Sequence, residues 1–421
     1  MRILIYSYNY NPELIGIAPL MTELAEGLVK KGHDVRVLTA MPWYPESKIY
    51  PEYQGKIYAQ EERNGVKIYR SYVWASPKRS FVNRAMFEIS FAFLSFWQGL
   101  KFWSPDLILL TVPGLPVAVP AFVLSKIYNC PIVLNLQDIL PDAAVHVGLL
   151  TNKKLIKVFT FLEKFAYKTA TKISVIADGF IDNLVNKNVP KDKIVKISNW
   201  VDVDFIKPVS REDSYFIQEN NLQDKFIVLY SGNIALTQPV EILIKVAKKL
   251  RHLDDLMIVI VGKKDALDRL ETLRQKFDCD NVLLKPFQPR EKLPQMLGAI
   301  DIGMVIQKKN VIDFNLPSKI PVLLASGCTI IGSVPESGTA AKALQESGGG
   351  FIVPPEDVNA LATKIEELYN QREQLSVISK KGRLYAENYY SFEMTLEKYE
   401  SLFKSLFNDK KNPVSGKDGN D

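Results

Sequence analysis

Asn315-Leu-Pro-Ser-Lys319, followed by Ala325-Ser-Gly327 and the apolar run Thr329-Ile-Ile-Gly332, decides how the second half of this chain is interpreted. The stretch predicts a loop, a helix that begins near Pro317, and then a strand. A helix start offers free backbone N–H groups and the positive end of the helix dipole, and Lys319 adds a full charge. We therefore expect a diphosphate site at this loop, and with it a nucleotide-linked substrate.

Short apolar strands alternate with helical patterns on both sides of that stretch. The first set of predicted strands covers residues 2–8, 34–40, 66–72, 106–112, 131–136 and 172–176. The second set covers residues 226–231, 256–261, 281–285, 301–306, 329–333 and 350–353. Two such series predict an α/β protein with two Rossmann-like domains that face each other across a cleft.

Domain boundaries follow from breaks in this pattern. Pro208 and its polar neighbours interrupt it, so we expect an N-terminal domain at 1–205 and a C-terminal domain at 206–390. The helical pattern of 391–408 is expected to pack back on the first domain. The polar segment 409–421, with its glycines and one proline, predicts a disordered tail.

Composition restricts the class of protein. The chain has 421 residues, a formal net charge of +6 and three well-separated cysteines. The charge is modest and forms no single basic tract, so nucleic acid is not an expected partner. The cysteines and three scattered histidines predict neither a disulfide framework nor a metal cluster. No signal peptide and no run of 18 uncharged apolar residues is present, so a cytoplasmic location is expected.

Three loops that follow predicted strands are candidate binding sites. Gly16 and Gly232 each lie where a strand passes into a helix, and a glycine there lets phosphate approach the backbone. Asn233 can donate to a phosphate or a hydroxyl. The loop Leu136-Gln-Asp-Ile-Leu-Pro-Asp142 offers two carboxylates that can bind sugar hydroxyls or act as a base, with His146 just beyond. Each glycine also fits a plain turn, and Asp142 also fits a helix N-cap.

The segment 86–103 is unusually aromatic for a helix of an α/β domain. Lys78, Arg79 and Arg84 precede it, and Glu88, Ser95, Gln98 and Lys101 fall loosely on one of its sides. Two interpretations stay open: an amphipathic helix that lies in a membrane interface, or a helix buried in its domain. For the membrane interpretation, the expected contacts are Phe91, Trp97 and Trp103.

Taken together, the motifs resemble the retaining glycosyltransferases of family 4, or group 1, in the branch that builds exopolysaccharides and O-antigens. Apart from the loop at Lys319, the motifs that carry the resemblance are Tyr8-Asn-Tyr-Asn-Pro-Glu-Leu-Ile-Gly16, Gly32-His-Asp-Val-Arg-Val-Leu-Thr39, Pro42-Trp-Tyr-Pro45, Gln137-Asp138, Ser198-Asn-Trp-Val-Asp202, Tyr230-Ser-Gly-Asn-Ile234 and Gly348-Gly-Gly-Phe-Ile-Val-Pro-Pro355. The resemblance covers residues 1 to about 407. It implies a GT-B fold whose C-terminal domain binds the donor and whose N-terminal domain binds the acceptor.

The resemblance also implies roles for single residues. Asp138 and Lys319 are the expected catalytic residues. Glu13, Gln137 and His146 are expected to contact the acceptor or to support the residues that do. The expected donor-binding residues are Gly16, Gly232, Asn233, Asn315, Ser318 and Lys319.

The reaction implied by the resemblance is transfer of a sugar from a nucleoside-diphosphate sugar to a lipid-linked saccharide. The acceptor is expected on a polyprenyl diphosphate at the inner face of the plasma membrane, with retention of configuration. No metal and no other cofactor is expected, because preplaced donors can stabilise the leaving diphosphate.

Two departures from the family pattern leave alternatives open. Gln238-Pro239 replaces a common lysine–glycine pair, and the usual pair of glutamates falls on Phe314 and Val322. Loss of a charge-assisted contact costs roughly 1.5–3 kcal/mol. Asp313 is a candidate substitute. The alternatives are a non-catalytic GT-B assembly subunit and a sugar-nucleotide 2-epimerase-like enzyme.

Overall fold

The structure of the chain is a computed structural model that describes residues 1–411 except 15, 79–80, 102, 113, 143–144, 146–149, 235–236 and 311–315. Of residues 81 and 409–411 it describes the backbone only. The chain divides into two compact units, which are described separately. Unit 1 comprises 1–199 together with the chain from Leu396 onward, and unit 2 comprises 200–395. The division therefore falls slightly before the predicted boundary at 205, and again inside the last helix.

Unit 1 contains an eight-stranded sheet. Its strands are β1 (Arg2–Tyr6), β2 (Asp34–Ala40), β3 (Tyr58–Arg63), β4 (Val66–Ser71), β5 (Leu107–Val112), β6 (Ile132–Leu136), β7 (Lys172–Val175) and β8 (Ile194–Lys196). They are ordered β3-β4-β2-β1-β5-β6-β7-β8, and every pairing is parallel except that of β3 with β4. Strands β5 and β6 are buried along their whole length, as is typical of a sheet covered on both faces.

The helices of unit 1 connect these strands. They are α1 (Ala18–Lys30), α2 (Phe81–Gly99), α3 (Ala118–Ile127), α4 (Lys153–Thr169) and α5 (Asp178–Asn186). Helix α1 ends just before Gly32, which adopts a φ of +85° immediately past the C-cap residue Lys31. Two short strands were not predicted. Strand β3 has the polar sequence Tyr-Ala-Gln-Glu-Glu-Arg and is largely exposed, and β8 has only three residues.

Unit 2 contains a six-stranded sheet in which every pairing is parallel. Its strands are β9 (Phe226–Ser231), β10 (Leu256–Gly262), β11 (Val282–Pro286), β12 (Ile302–Ile306), β13 (Thr329–Ser333) and β14 (Gly350–Val353), in the order β11-β10-β9-β12-β13-β14. Apolar side chains form a core on each face. Ile227 and Leu229 of β9 belong to one core, and Phe226, Val228 and Tyr230 belong to the other.

Helices cover both faces of this second sheet. They are α6 (Tyr215–Asn220), α7 (Ile242–Lys249), α8 (Lys264–Phe277), α9 (Leu293–Gly298), α10 (Lys319–Ala325), α11 (Thr339–Ser347), α12 (Val358–Asn370) and α13 (Arg372–Tyr389). The last helix in the described part of the chain is α14 (Phe392–Lys411), so the tail predicted to be disordered from 409 begins inside a helix. The division between the units falls within α14. The part of α14 in unit 1 is held by Glu400, which accepts from His33 Nε2 at 3.3 Å.

Helix α2 differs from an ordinary amphipathic helix because polar side chains lie on its buried side. Its polar side chains Glu88, Ser95 and Gln98, predicted to form one side of the helix, are all buried. Gln98 Oε1 accepts a 2.6 Å hydrogen bond from the Ser71 hydroxyl, and Ser95 is hydrogen-bonded to the Tyr6 hydroxyl. These bonds satisfy polar groups that would be costly to bury without partners. The helix runs over Phe81–Gly99 rather than over 86–103.

Candidate functional site

The loop after β9 carries the first donor-side candidates in unit 2. Gly232 has a φ of +140°, a conformation that favours glycine, and its N–H donates to the Val261 carbonyl at 3.0 Å. The next residue, Asn233, has an exposed side chain. Its carbonyl accepts a 2.7 Å hydrogen bond from the Tyr230 hydroxyl, which ties the loop to the end of the strand.

Lys319 lies against this same loop. Its Nζ is 3.6 Å from the centroid of the Tyr230 ring, and a Cβ added to Gly232 would come within 2.5 Å of Lys319 Cε. Burial lowers the pKa of Lys319 to about 7, because the ammonium form is poorly solvated there. Within the described ranges, no carboxylate offsets this effect on the pKa of Lys319. The arrangement is therefore a desolvated cation beside a glycine loop, a suitable environment for an anionic ligand.

The rest of the predicted diphosphate loop is only partly described. Helix α10 begins at Lys319 rather than near Pro317, and Ser318 is its exposed N-cap residue, whose side chain makes no capping hydrogen bond. Val322 stands at the position of the second glutamate of the family pattern, and its apolar side chain packs against the core of unit 2. Asn315, and with it Phe314 and Asp313, lies outside the described residues.

Unit 1 contains a pocket of about 370 Å³ at the carboxyl ends of its strands. Its wall combines aromatic, aliphatic and polar side chains. The lining residues are Tyr8, Asn9, Gly16, Ile17, Leu20, Trp43, Tyr44, Arg84, Phe87, Gln137, Asp138 and Asn199. Aromatic rings with a few amides and charges suit a saccharide, which offers apolar C–H faces and many hydroxyls.

Glu13 lies beneath the pocket and holds residues of the pocket wall in place through hydrogen bonds. The side chain is buried, and its Oε1 accepts from the backbone N–H groups of Trp43 and Tyr44 at 2.9 and 2.8 Å. Its Oε2 accepts from Asn9 Nδ2 at 2.7 Å. Burial raises the pKa of Glu13, and these hydrogen bonds to the ionised form oppose the rise. Glu13 thus acts on residues that line the pocket without lining it itself.

Asp138 and Gln137 both lie in the pocket wall. Burial raises the pKa of the Asp138 carboxyl, whose Oδ1 accepts from the Ile139 N–H at 2.9 Å. Gln137 exchanges hydrogen bonds with Asn199, at 2.8 and 3.1 Å, and also donates to Asn135. Gln137 is therefore held in one orientation.

Three further candidates remain: Gly16 from the loop after β1, and Asp142 and His146 from the region after β6. Gly16 lines the pocket with a φ of +71° and has open space around it. Asp142 forms a 2.8 Å ion pair with Lys187 and accepts from Asn183. His146 lies outside the described residues.

The predicted membrane contacts of α2 require correction. Phe91 is fully buried and packs on the Tyr8 ring, so the prediction that it contacts a membrane is wrong. Trp103 lies beyond the end of α2 and is half-buried, with the Arg36 guanidinium 4.0 Å from its ring centroid. Trp97 is 50% exposed.

The exposed apolar side chains of α2 form a stripe at helical spacing that the sequence analysis did not identify. We call it the outer face of α2, and it consists of Val82, Met86, Ile89, Phe93 and Trp97. Each of these side chains is between 41% and 66% exposed. None of the helices in the described part of the chain is long and apolar enough to cross a membrane.

Several pocket residues were not singled out from the sequence. Trp43 and Tyr44 lie between two prolines in the quoted motif, a signal that could have marked an aromatic loop. Tyr8 begins a quoted motif and Arg84 was noted as a cation before the aromatic segment, but nothing in the sequence marked these two residues or Phe87 as part of a pocket. They reach the pocket because β1 and α2 are adjacent, as the stacking of Tyr8 on Phe87 with centroids 5.5 Å apart shows.

Comparison with known proteins agrees with the division of the chain into two units. Residues 210–385 match the glycosyl transferases group 1, and residues 16–200 match a glycosyl transferase 4-like domain. The chain is 31% identical to WcaI of Escherichia coli K12, which is named as a colanic acid biosynthesis glycosyl transferase, over 97% of this chain and 99% of that protein.

Two solved structures show the same fold at low sequence identity. Anabaena HepE in complex with UDP superposes with a TM-score of 0.71 at 14% identity, covering 96% of this chain and 100% of that one. Sucrose-phosphate synthase from Thermosynechococcus elongatus gives a TM-score of 0.72 at 16% identity, covering 97% and 100%. With two sheets of parallel strands, the α/β fold is GT-B, as predicted.

Proposed function

Because the chain belongs to the glycosyl transferases of group 1, we propose that it moves a sugar from a nucleoside-diphosphate sugar to a lipid-linked saccharide. The chain is a glycosyltransferase of polysaccharide biosynthesis, as its similarity to WcaI over nearly the whole length of both proteins indicates. The acceptor in this proposal is a saccharide on a polyprenyl diphosphate, and the configuration of the transferred sugar is retained.

The observation that carries the donor side of the proposal is the position of Lys319. Its ammonium lies over the Tyr230 ring and beside Gly232, where burial lowers its pKa. A diphosphate would supply the counter-charge that this environment lacks. The solved complex of HepE with UDP supports a nucleotide as the carrier of this diphosphate.

In this mechanism Lys319 stabilises the leaving group. Negative charge grows on the diphosphate as the bond to the sugar breaks, and a cation already in place stabilises that state more than the ground state. Ser318 and Asn233 have exposed side chains that can donate further hydrogen bonds. The scheme requires no metal. We name no protein nucleophile, and retention rests on the analogy with the family.

The pocket of unit 1 is the proposed acceptor site. Its aromatic side chains would stack on sugar rings, and Gln137 would orient a hydroxyl. Asp138 is the proposed catalytic residue on this side, where its carboxylate would accept the proton of the attacking hydroxyl. The raised pKa of Asp138 favours that role, because a carboxylate that is less acidic is a better base.

We place the enzyme at the inner face of the plasma membrane, where a polyprenyl diphosphate would be available. The outer face of α2 presents aliphatic and aromatic side chains, and exposed Lys78 and Lys101 lie just before and just after the helix. Apolar side chains flanked by cations fit a surface of anionic lipids.

The test of this function is calorimetric titration of the full chain with a panel of UDP-, GDP- and dTDP-sugars. We expect one of them to bind, with the affinity reduced at least tenfold in Lys319→Ala, and to be consumed only when a lipid-linked acceptor is present. Absence of binding at millimolar concentration would contradict the proposal and favour a non-catalytic subunit. Conversion of the sugar nucleotide without acceptor would instead indicate an epimerase.

A further inference from the structure

Arg84 is a cation in the wall of the unit 1 pocket and lies next to aromatic side chains. It lines the pocket of unit 1 together with Trp43, Tyr44 and Phe87, and its guanidinium carbon lies 5.4 Å from the Phe87 ring centroid. A guanidinium beside aromatic rings is less hydrated than one in bulk water, and its planar N–H donors match a carboxylate or a phosphate. A neutral saccharide can accept hydrogen bonds from this group but offers no opposite charge to pair with it.

The orientation of Arg84 is set by Glu88, one turn later on α2. Glu88 Oε1 pairs with Arg84 Nη2, while Oε2 accepts from the Tyr8 hydroxyl. The carboxylate is therefore held from two sides and cannot easily rotate away. This support is rigid, because the Tyr8 ring packs on both Phe87 and Phe91.

The ion pair is strongly asymmetric in its exposure to solvent. The Arg84 side chain is 53% exposed, whereas that of Glu88 is 5% exposed. An incoming ligand would thus meet the positive partner of the pair and not the negative one. Among the described residues that line the pocket, the carboxylate is that of Asp138, which comes from a separate loop after β6.

We propose that Arg84 binds an oxyanion of the acceptor, carried either by an acidic sugar or by the diphosphate of the lipid linker. The inference rests on the proposed function, because it takes the pocket of unit 1 as the acceptor site. A phosphate oxygen of the lipid linker and a carboxylate of an acidic sugar have the same chemistry toward a guanidinium. Glu88 acts as a positioning residue in this site.

The test measures direct binding, and so does not depend on sugar transfer. The probes are phenyl β-D-glucuronide, its neutral counterpart phenyl β-D-glucoside, and octyl diphosphate, each titrated into the full chain. All titrations use the Lys319→Ala background, so that octyl diphosphate does not bind at the donor loop. We expect Arg84→Gln to weaken binding of at least one anionic probe about ten- to a hundredfold and to leave the neutral glucoside unchanged.

Two further variants keep the result interpretable. Arg269→Gln removes the same charge from an exposed position on α8 of unit 2, and it should bind all probes as the parent does. Arg84→Lys retains the charge without the planar pair of donors, and should lose part of the affinity even if Arg84→Gln fails to fold.

The outcomes separate the two sources of the oxyanion. An effect of Arg84→Gln on the glucuronide alone supports an acidic sugar, and an effect on octyl diphosphate alone supports the lipid linker. Equal loss for neutral and anionic probes, or no loss in either Arg84 variant, overturns the inference. If the anionic probe binds through Arg84 but no donor sugar is ever transferred, the oxyanion site stands and the proposed function fails.

Discussion

Lys319 Nζ lies 3.6 Å from the centroid of the Tyr230 ring, although the two residues belong to different strand–helix segments of unit 2. The contact places a half-buried cation against an aromatic ring, and burial lowers its pKa to about 7. A bound diphosphate would favour the ammonium form and raise this pKa again. We therefore expect donor binding to be coupled to uptake of a proton.

The first prediction concerns the pH dependence of donor binding. Above pH 7 free Lys319 is mostly neutral, so binding must first protonate it, and affinity should fall up to tenfold for each pH unit. Titration calorimetry between pH 6.5 and 8.5, in buffers with different ionisation enthalpies, measures the affinity and the proton uptake together. Lys319→Met should bind weakly and without pH dependence. A wild-type affinity that is flat with pH, with no proton uptake, would contradict this coupling.

The second prediction concerns Gly232. The added methyl group of Gly232→Ala would lie 2.5 Å from Lys319 Cε, so the lysine side chain must move away from the loop. The φ of +140° adds backbone strain. We expect donor affinity to fall at least tenfold, as measured by calorimetry. Gly55→Ala is the matched control, because that glycine also has a positive φ but open space around it. Equal donor affinity in Gly232→Ala and the wild type would show that the position of Lys319 is unimportant.

The third prediction concerns Glu13. Glu13→Ala leaves the N–H groups of Trp43 and Tyr44 without their acceptor, which should lower the free energy of unfolding by about 2–4 kcal/mol. It should also raise the KM for the acceptor, because both residues line the pocket. Glu13→Gln keeps an oxygen acceptor and should retain most of the stability. Urea unfolding and acceptor titration measure the two effects. If Glu13→Ala and Glu13→Gln have the same stability and the same KM for the acceptor, Glu13 does not hold the pocket residues in place.

The fourth prediction concerns the outer face of α2. Ile89 and Phe93 are each 60% exposed, so replacing both with aspartate should not disturb the core but should repel anionic lipid. We expect several-fold less flotation with anionic vesicles and an unchanged melting temperature. Leu384→Asp, at a 59% exposed position on α13, is the control and should float as the wild type does. Unchanged flotation of the double variant, or its loss of self-association in sedimentation, would indicate that this face serves another purpose.

The fifth prediction concerns divalent metal. Because the ammonium of Lys319 supplies positive charge at the proposed diphosphate site, transfer should continue at an unchanged rate in excess EDTA. A rate that falls in EDTA and returns with added Mg²⁺ would show that Lys319 does not replace a metal.

Much of the architecture could be predicted from local patterns. The predicted bounds of β2, β9, β13 and β14 match the structure. Strands β9 and β13 are buried along almost their whole length, as is typical of apolar runs in a parallel sheet. Strand β3 was not predicted, since a polar strand at the edge of a sheet has no such apolar run. Its position next to β4 is a tertiary property.

The sequence by itself determined the two α/β units, the glycine loops and the family motifs, because these depend on residues that are close along the chain. Only the tertiary structure decided which side of α2 is buried. Its carboxylate, hydroxyl and amide turn inward because Tyr8, Tyr6 and Ser71 on neighbouring segments satisfy them, and the apolar stripe is left outside. The meeting of Lys319 with Tyr230, and of Arg84 with the pocket aromatics, likewise depends on how distant segments pack, which periodicity does not encode.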